Sequence, residues 1–247
     1  MPNFSTHLEP LNVVNLREHI KREVCNAILS GVFKPGGRLK EAQIADQLGV
    51  SRAPVREALA SLEREGIVTS IPRRGYFVVN FADKDIEEIY SLRRLLEVGA
   101  LQRAMPRITP DHIAALQRIV DGMGEEAQSG SDPGRMIVLD TSFHGTICEV
   151  ADNSRLYSAW AAMRLQTWLL IGLTSRTHSG TPDDPKEFHQ RILDAIKAND
   201  LALAETRLSE HLDDAERRAR IAWKELLALE PAPRANGRRY AAIPEAS

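Results

Sequence analysis

Four side chains in the second half of the chain carry the chemistry of a metal ligand. Asp140 and His144 stand four apart in Leu139-Asp140-x-x-Phe143-His144. On a helix both therefore project from one face, about one turn apart. An imidazole and a carboxylate in that relation can bind a single first-row transition-metal ion together. His189, in Glu187-Phe188-His189-Gln190-Arg191-Ile192, and His211, in Glu210-His211-Leu212, fall on two further predicted helices. Three helices converging in a bundle can bring all four side chains to one point. The spacing is a moderate signal, because a D-x-x-x-H pair is common. His7, His19, His112 and His178 are read as ordinary surface or core histidines. Cys148, one turn further along the Asp140/His144 stripe, reads as a small buried thiol.

A second constellation lies near the N-terminus. Arg52 and Arg56 are four apart on a short predicted helix whose Val55, Ala58, Leu59 and Leu62 share the apolar face. An α-helix fits the major groove of DNA, where a guanidinium can donate two hydrogen bonds to guanine O6 and N7. Ser51, just before this helix, offers a side-chain oxygen as its cap and sits where backbone N–H groups can hold a phosphate. Arg73 and Arg74 occupy the tip of a predicted hairpin, placed to enter the adjacent minor groove or grip phosphates. Isolated arginines are usually a solvated helix face. Here they accompany the tight Gly49 turn, a cap and a basic hairpin.

The elements that must position these groups follow from periodicity. Leu16, Ile20, Val24, Ala27 and Ile28 recur at helical spacing and stop at Gly31. A second helix fits Glu41–Leu48, broken by Gly49, and a third runs from Ser51 to about Glu65, ended by Gly66. Ile67–Ile71 and Tyr76–Val79 are β-rich and flank Pro72-Arg73-Arg74-Gly75. Three helices and a two-stranded wing make a winged helix-turn-helix. After about Ala82 the chain reads as six or seven helices with no strand, an all-α bundle. Thr109-Pro110, Asp132-Pro133 and Asp184-Pro185 pair a capping oxygen with proline at the first helical position, Glu187 takes the capping-box position after the last of them, and Asn153 and Asp200 are further caps. The expected organisation is a flexible arm over 1–13, the winged helix over 14–80, an all-helical domain over 83–229 and a disordered tail over 230–247. The fold class is mainly α.

Composition narrows the function classes. The 247 residues carry a net charge of −2, yet residues 1–80 hold 11 Lys and Arg against 8 Asp and Glu. A mildly basic front on an acidic back suits a polyanion partner at the front. No run approaches the roughly 18 apolar residues of a membrane helix, and the N-terminus lacks the layout of a signal peptide, so no membrane partner is expected. Two cysteines, Cys25 and Cys148, cannot build a disulfide framework and suit a cytoplasmic setting.

The stretch Leu48-Gly49-Val50-Ser51-Arg52-Ala53-Pro54-Val55-Arg56-Glu57-Ala58-Leu59, with Leu62-Glu63 and Gly66-Ile67-Val68, resembles the DNA-binding domain of GntR-type regulators. Arg73-Arg74-Gly75-Tyr76-Phe77-Val78 resembles its wing. The resemblance implies that Arg52 and Arg56 read operator bases. Some members carry another base-contacting arginine where this chain has Ala42, a place for which Lys40 can compensate at the DNA backbone. Residues 83–229 resemble the helical effector domain of the FadR subfamily in Arg93-x-x-Leu96-Glu97, Asp140-x-x-x-His144, Asn153-Ser154-x-Leu156, His189-x-x-Ile192-x-x-Ala195-Ile196 and His211-Leu212. That resemblance implies a divalent transition metal held by Asp140, His144, His189 and His211. Three nitrogens and one oxygen suit zinc or nickel, with manganese and iron as alternatives. It also implies Arg93, with Arg164 as a weaker candidate, as a clamp for a small carboxylate effector.

The expectation is a ligand-responsive regulator, a repressor, that binds a palindromic operator in double-stranded DNA as a homodimer, since one winged helix makes too few contacts for a unique address. Two other readings stand beside it. A metal-dependent hydrolase or lyase could use the same ligands, although no signature supplies a placed acid or base and the winged helix would have no role. A DNA-binding protein could also carry a purely structural ion.

Overall fold

The computed structural model describes residues 13–129, 133–177 and 185–228. The expected tail and all but the last residue of the expected arm lie outside them, as do His7, His178, Asp132 and Asp184. Helix α1 (Val13–Leu29), α2 (Glu41–Leu48) and α3 (Arg52–Arg64) precede a hairpin of β2 (Val68–Ile71) and β3 (Gly75–Val78). The hairpin register pairs Val68 with Val78 and Ile71 with Gly75. A two-residue strand, β1 (Arg38–Leu39), adds to the other edge of β3 and makes the sheet three-stranded, in the order β1-β3-β2. Two residues are too few to show an alternating pattern, which is why the sequence suggested two strands only.

The turn between α2 and α3 depends on Gly49, whose φ of 65° lies in the left-handed region that a Cβ disfavours. There Val50 N–H reaches back to the Ala45 carbonyl at 3.0 Å. Ser51 precedes α3 in extended conformation, but its side chain makes no capping hydrogen bond, contrary to expectation. Its hydroxyl is left exposed at the helix N-terminus.

Among the described residues six α-helices follow: α4 (Asp83–Ala104), α5 (Pro110–Ser129), α6 (Pro133–Val150), α7 (Ser154–Thr177), α8 (Pro185–Lys197) and α9 (Leu201–Ala228), with a 3-10 turn at Met105–Arg107. Prolines open α5, α6 and α8, where the lost N–H has no intrahelical partner. Asn153 Oδ1 accepts from Leu156 N–H at 3.2 Å, and Asp200 Oδ1 accepts from Leu203 N–H at 3.0 Å, so both expected caps form. Thr109 and His112 cap each other's backbone at the start of α5, which gives His112 a structural role. An unexpected cap forms at α4, where Asp85 Oδ2 accepts from Ala82 N–H at 2.7 Å.

The buried apolar side chains fall into two clusters. One joins α1–α3 and the sheet to Phe81, Ile86, Leu169, Leu170, Leu173, Ala219 and Trp223. The other fills the bundle around Leu116, Met123, Phe143, Leu193, Leu208 and Leu212. Helices α7 and α9 contribute to both, so each runs from the interior of the bundle to the base of the winged helix. Among the described residues no helix is long and apolar enough to cross a membrane. Cys25 and Cys148 are buried free thiols, and burial pushes the Cys25 thiol up to about 12.

At the junction of α9 with the N-terminal elements, Trp223 packs on Phe81 with ring centroids 5.1 Å apart, and its buried indole N–H has no hydrogen-bond partner. The side chain therefore contributes by volume. Trp223→Ala is expected to lower the unfolding free energy by about 3–5 kcal/mol. Trp223→Phe, which also removes an unsatisfied donor, should cost less than about 1.5 kcal/mol, both read from urea denaturation.

Candidate functional site

Helices α6, α8 and α9 bring Asp140, His144, His189 and His211 together as the sequence suggested: one ligand atom from each lies within 4.8 Å of all the others. The convergence follows from packing. Phe143, beside His144, stands edge-on to the His189 ring with centroids 4.9 Å apart, and Ile192 and Leu212 anchor the same faces of α8 and α9 in the apolar interior. His144 Nε2 and His211 Nε2 are 3.2 Å apart, and His189 Nε2 lies 3.4 Å from Asp140 Oδ1. An ion with ligands at roughly 2.0–2.1 Å needs adjacent donor atoms about 3 Å apart, so these spacings fit one.

The outward nitrogens are oriented by partners. His189 Nδ1 meets the Pro185 carbonyl oxygen at 2.7 Å, which turns Nε2 towards the centre. His144 Nδ1 lies 2.7 Å from Glu97 Oε2, an ion-pair distance, but the two atoms are out of line for a hydrogen bond. Glu97 is 1% exposed and is held in turn by Arg93 Nε and Trp160 Nε1, which donate to its Oε1 at 2.8 Å and 3.0 Å. Sequence reading placed Glu97 in the Arg93-x-x-Leu96-Glu97 motif but not among the site residues; its approach to His144 has no local signal.

Charge follows the same arrangement. Burial opposes ionisation of Glu97, yet Arg93 and His144 outweigh it and hold its carboxyl down to about 2. Burial likewise opposes ionisation of Asp140, but the neighbouring His189, His144 and His211 imidazoles hold its carboxyl well below the usual range. Burial, followed by the neighbouring imidazoles of His189 and His144, pushes His211 well below the ordinary histidine value. Asp140 Oδ2, His189 Nε2 and His211 Nδ1 are buried without a hydrogen-bond partner in the protein. Leaving such groups unpaired costs about 1–3 kcal/mol each. A cation between the three imidazoles and the carboxylate would satisfy Asp140 and His189, so the residues present fit a divalent ion.

Two cavities flank the cluster and share Arg93 and Asp140. One, about 230 Å³ with its mouth, is also lined by His144, Trp160 and Arg164. The other, about 600 Å³ with its mouth, is lined by His189, His211, Phe188 and Arg218 as well. Arg93 is only 3% exposed and its guanidinium lies 5.3 Å from the Tyr90 ring centroid. Its pairing with Glu97 makes it a positioning element as well as part of both cavity walls. Arg164 is exposed and reaches the smaller cavity only. Cys148 is fully buried beside Phe143 and Ile147 in the apolar cluster, apart from the ligand group.

At the opposite end of the molecule, Arg52 and Arg56 are both exposed on α3. Arg56, 65% exposed, donates through Nε and Nη2 to Glu41 Oε2 at 3.2 Å and 3.0 Å, which fixes the side chain across α2. Nothing in the local sequence signals this contact between helices. Lys40 is exposed just before α2. Arg73 and Arg74 are exposed at the hairpin tip, and Arg74 lies 5.6 Å from the Phe77 ring centroid. Arg73 has φ 64°, a left-handed conformation that costs a non-glycine residue about 1–2 kcal/mol.

Residues 16–78 match the model of bacterial regulatory proteins of the gntR family, and residues 88–214 match the FCD domain. The chain belongs to the GntR family. A probable D-xylose utilization operon transcriptional repressor of Paenarthrobacter nicotinovorans is 33% identical over 75% of this chain and 80% of its own length. The gluconate operon transcriptional repressor of Bacillus subtilis is 30% identical over 79% of this chain and 82% of its own. The crystallised McbR of Escherichia coli superposes with a TM-score of 0.68 at 23% identity, covering 85% of this chain and 98% of that one, and shows the same fold. This GntR-family chain is thus a DNA-binding transcription regulator, not an enzyme.

Glu97 is the partner common to Arg93, Trp160 and His144. Glu97→Ala strands the Arg93 charge in the interior and is expected to cost about 3–5 kcal/mol in urea denaturation. Arg93→Met with Glu97→Gln together should recover much of that loss, since the paired change leaves no buried charge unmatched.

Proposed function

We propose that this regulator is a repressor whose C-terminal helices hold one divalent transition-metal ion and, on that ion, a small carboxylate effector that controls operator binding. The observation that carries the reading is the inward convergence of Asp140, His144, His189 and His211 beside two cavities, with Arg93 in both walls. Three nitrogens and one oxygen favour zinc or nickel over the harder manganese, with iron as the remaining candidate. When bound, such an ion supplies open coordination positions that accept a carboxylate. The chain's own part is to orient the ligands through Glu97 and Pro185, exclude water with Phe143 and Tyr90, and offer the Arg93 guanidinium, or Arg164 from the smaller cavity, to the effector. The relatives named as repressors of sugar and gluconate operons support a sugar-derived or hydroxy acid as effector.

The division of labour follows the chain: residues 14–80 read DNA, and residues 83–229 bind ion and effector and carry dimer contacts. Arg52 and Arg56 read base edges in the major groove of each half-site, with Arg56 exchanging Glu41 for a base. Ser51 and Lys40 meet phosphates, and Arg73 and Arg74 carry the wing to the minor groove or backbone. Two-fold dimers on an inverted repeat double these contacts. A protein with this target works in the cytoplasm.

Two measurements test the two ends of the molecule. Arg56→Ala should weaken operator binding by about 1–3 kcal/mol and relax base preference at one position per half-site; unchanged selectivity at every position contradicts base reading. His144→Ala should lose most of the roughly one equivalent of metal per chain found by mass spectrometry, and with it the carboxylate response, while operator binding without effector stays near wild type. Full metal content in the variant contradicts the ligand assignment. Loss of metal with an unchanged carboxylate response makes the ion structural.

A further inference from the structure

The larger cavity has a second basic residue in its wall, about two helical turns along α9 from His211. Arg218, on α9, is buried to 19% exposure and forms part of the wall shared with Phe188, His189 and His211. Its guanidinium lies 5.8 Å from the Phe188 ring centroid. Its carboxylate neighbour is Asp214, whose Oδ2 is 2.8 Å from Arg218 Nε but out of line for a hydrogen bond, so both atoms are left without one. Asp214 Oδ1 already accepts from Arg217. One carboxylate is therefore shared by two guanidiniums.

Counting charge around this cavity gives a definite sign. Arg93 is matched by Glu97, and Arg191, which also lies over Phe188, is matched by Glu187. Among the described residues Asp140 is the single acid in the lining, and it belongs to the ion cluster. With a divalent ion in place, Asp140 leaves one positive charge uncompensated at the cluster. The Arg217–Asp214–Arg218 group carries another, with Arg218 as its member in the cavity wall. A monocarboxylate on the ion would cancel the first and leave the second without an anion inside the cavity.

We infer that the effector is a dianion: an acid whose carboxylate sits on the ion and whose second anionic group, a carboxylate or a phosphate, is held by Arg218. Arg218 then sets specificity by rejecting acids that lack the second charge, because its buried N–H donors would go unpaired with them. This rests on the carboxylate-on-ion reading above and adds the ligand class and the residue that selects it.

Isothermal titration of the zinc-loaded full chain with matched acids tests the inference. Malate against 2-hydroxybutyrate, glucarate against gluconate, and 6-phosphogluconate against gluconate differ mainly in the terminal anion, and the last two pairs separate a carboxylate from a phosphate. In at least one pair the dianion should bind more tightly by roughly tenfold or more, the worth of a charge-assisted hydrogen bond. Arg218→Gln should remove that advantage by weakening the dianion while the monoanion binds no more weakly than before, and should retain full zinc content. Equal affinities within every pair, or an equal loss for both members in Arg218→Gln, overturn the inference. Binding of no acid at all to the zinc-loaded protein overturns the carboxylate reading itself, and this one with it. Monoanion binding without a dianion preference overturns this inference and leaves the carboxylate reading standing.

Discussion

Burying three imidazoles and a carboxylate together in an apolar bundle carries a desolvation cost that the chain alone does not offset. Around Asp140, His144, His189 and His211 the chain gives a hydrogen-bond partner to the outward nitrogen of His189, through the Pro185 carbonyl, and sets the Glu97 carboxylate beside the outward nitrogen of His144. The inward atoms point at one another, with Asp140 Oδ2 and His189 Nε2 unpaired. Glu97 is the hub of what compensation there is, because it neutralises Arg93, receives Trp160 and orients His144. The rest of the cavity chemistry depends on that one buried carboxylate: it keeps Arg93 in place at the wall of both cavities and points a histidine at the centre.

The same packing joins the cluster to the DNA-reading end. Helix α7 lines the cavities through Arg164, Thr167, Ile171 and Thr174, while Leu169, Leu170 and Leu173 enter the core of the winged helix. Helix α9 carries His211 and, about two turns on, Arg218 in the wall of the larger cavity, and then Trp223 against Phe81. Gly66, at the end of α3, sits so close to Gln166 of α7 that no side chain fits there without displacing it. The side chains of Leu169, Leu170 and Leu173, buried in the core they share with α1, α2 and α3, are close-packed and transmit small shifts rather than absorb them, so a displacement of α7 would reach α3, which presents Arg52 and Arg56.

Much of this was legible in the residues. Periodicity and caps located α2, α3 and the bundle helices, because each carries an apolar stripe bounded by glycine, proline or an oxygen-bearing residue. The ligand set was legible because metal chemistry draws on few residue types and Asp140 and His144 share a helix face. What escaped was non-local or very short. The β1 strand is two residues long, the Arg56–Glu41 pair spans two helices, and Asp85 caps α4 without the usual residue at the cap. Ser51 has the expected side chain, but its hydroxyl faces solvent. The role of Glu97 towards His144, and of Arg218 towards the larger cavity, exists only once α4, α6 and α9 are packed.

The most direct test of the central claim is X-ray absorption spectroscopy at the metal edge of the purified, unmutated protein. The account predicts a first shell of nitrogen and oxygen only, with the outer-shell scattering of three imidazoles, unchanged in ligand type when Cys148 is replaced by Ser. A shell containing sulfur, or one without imidazole scattering, would contradict it.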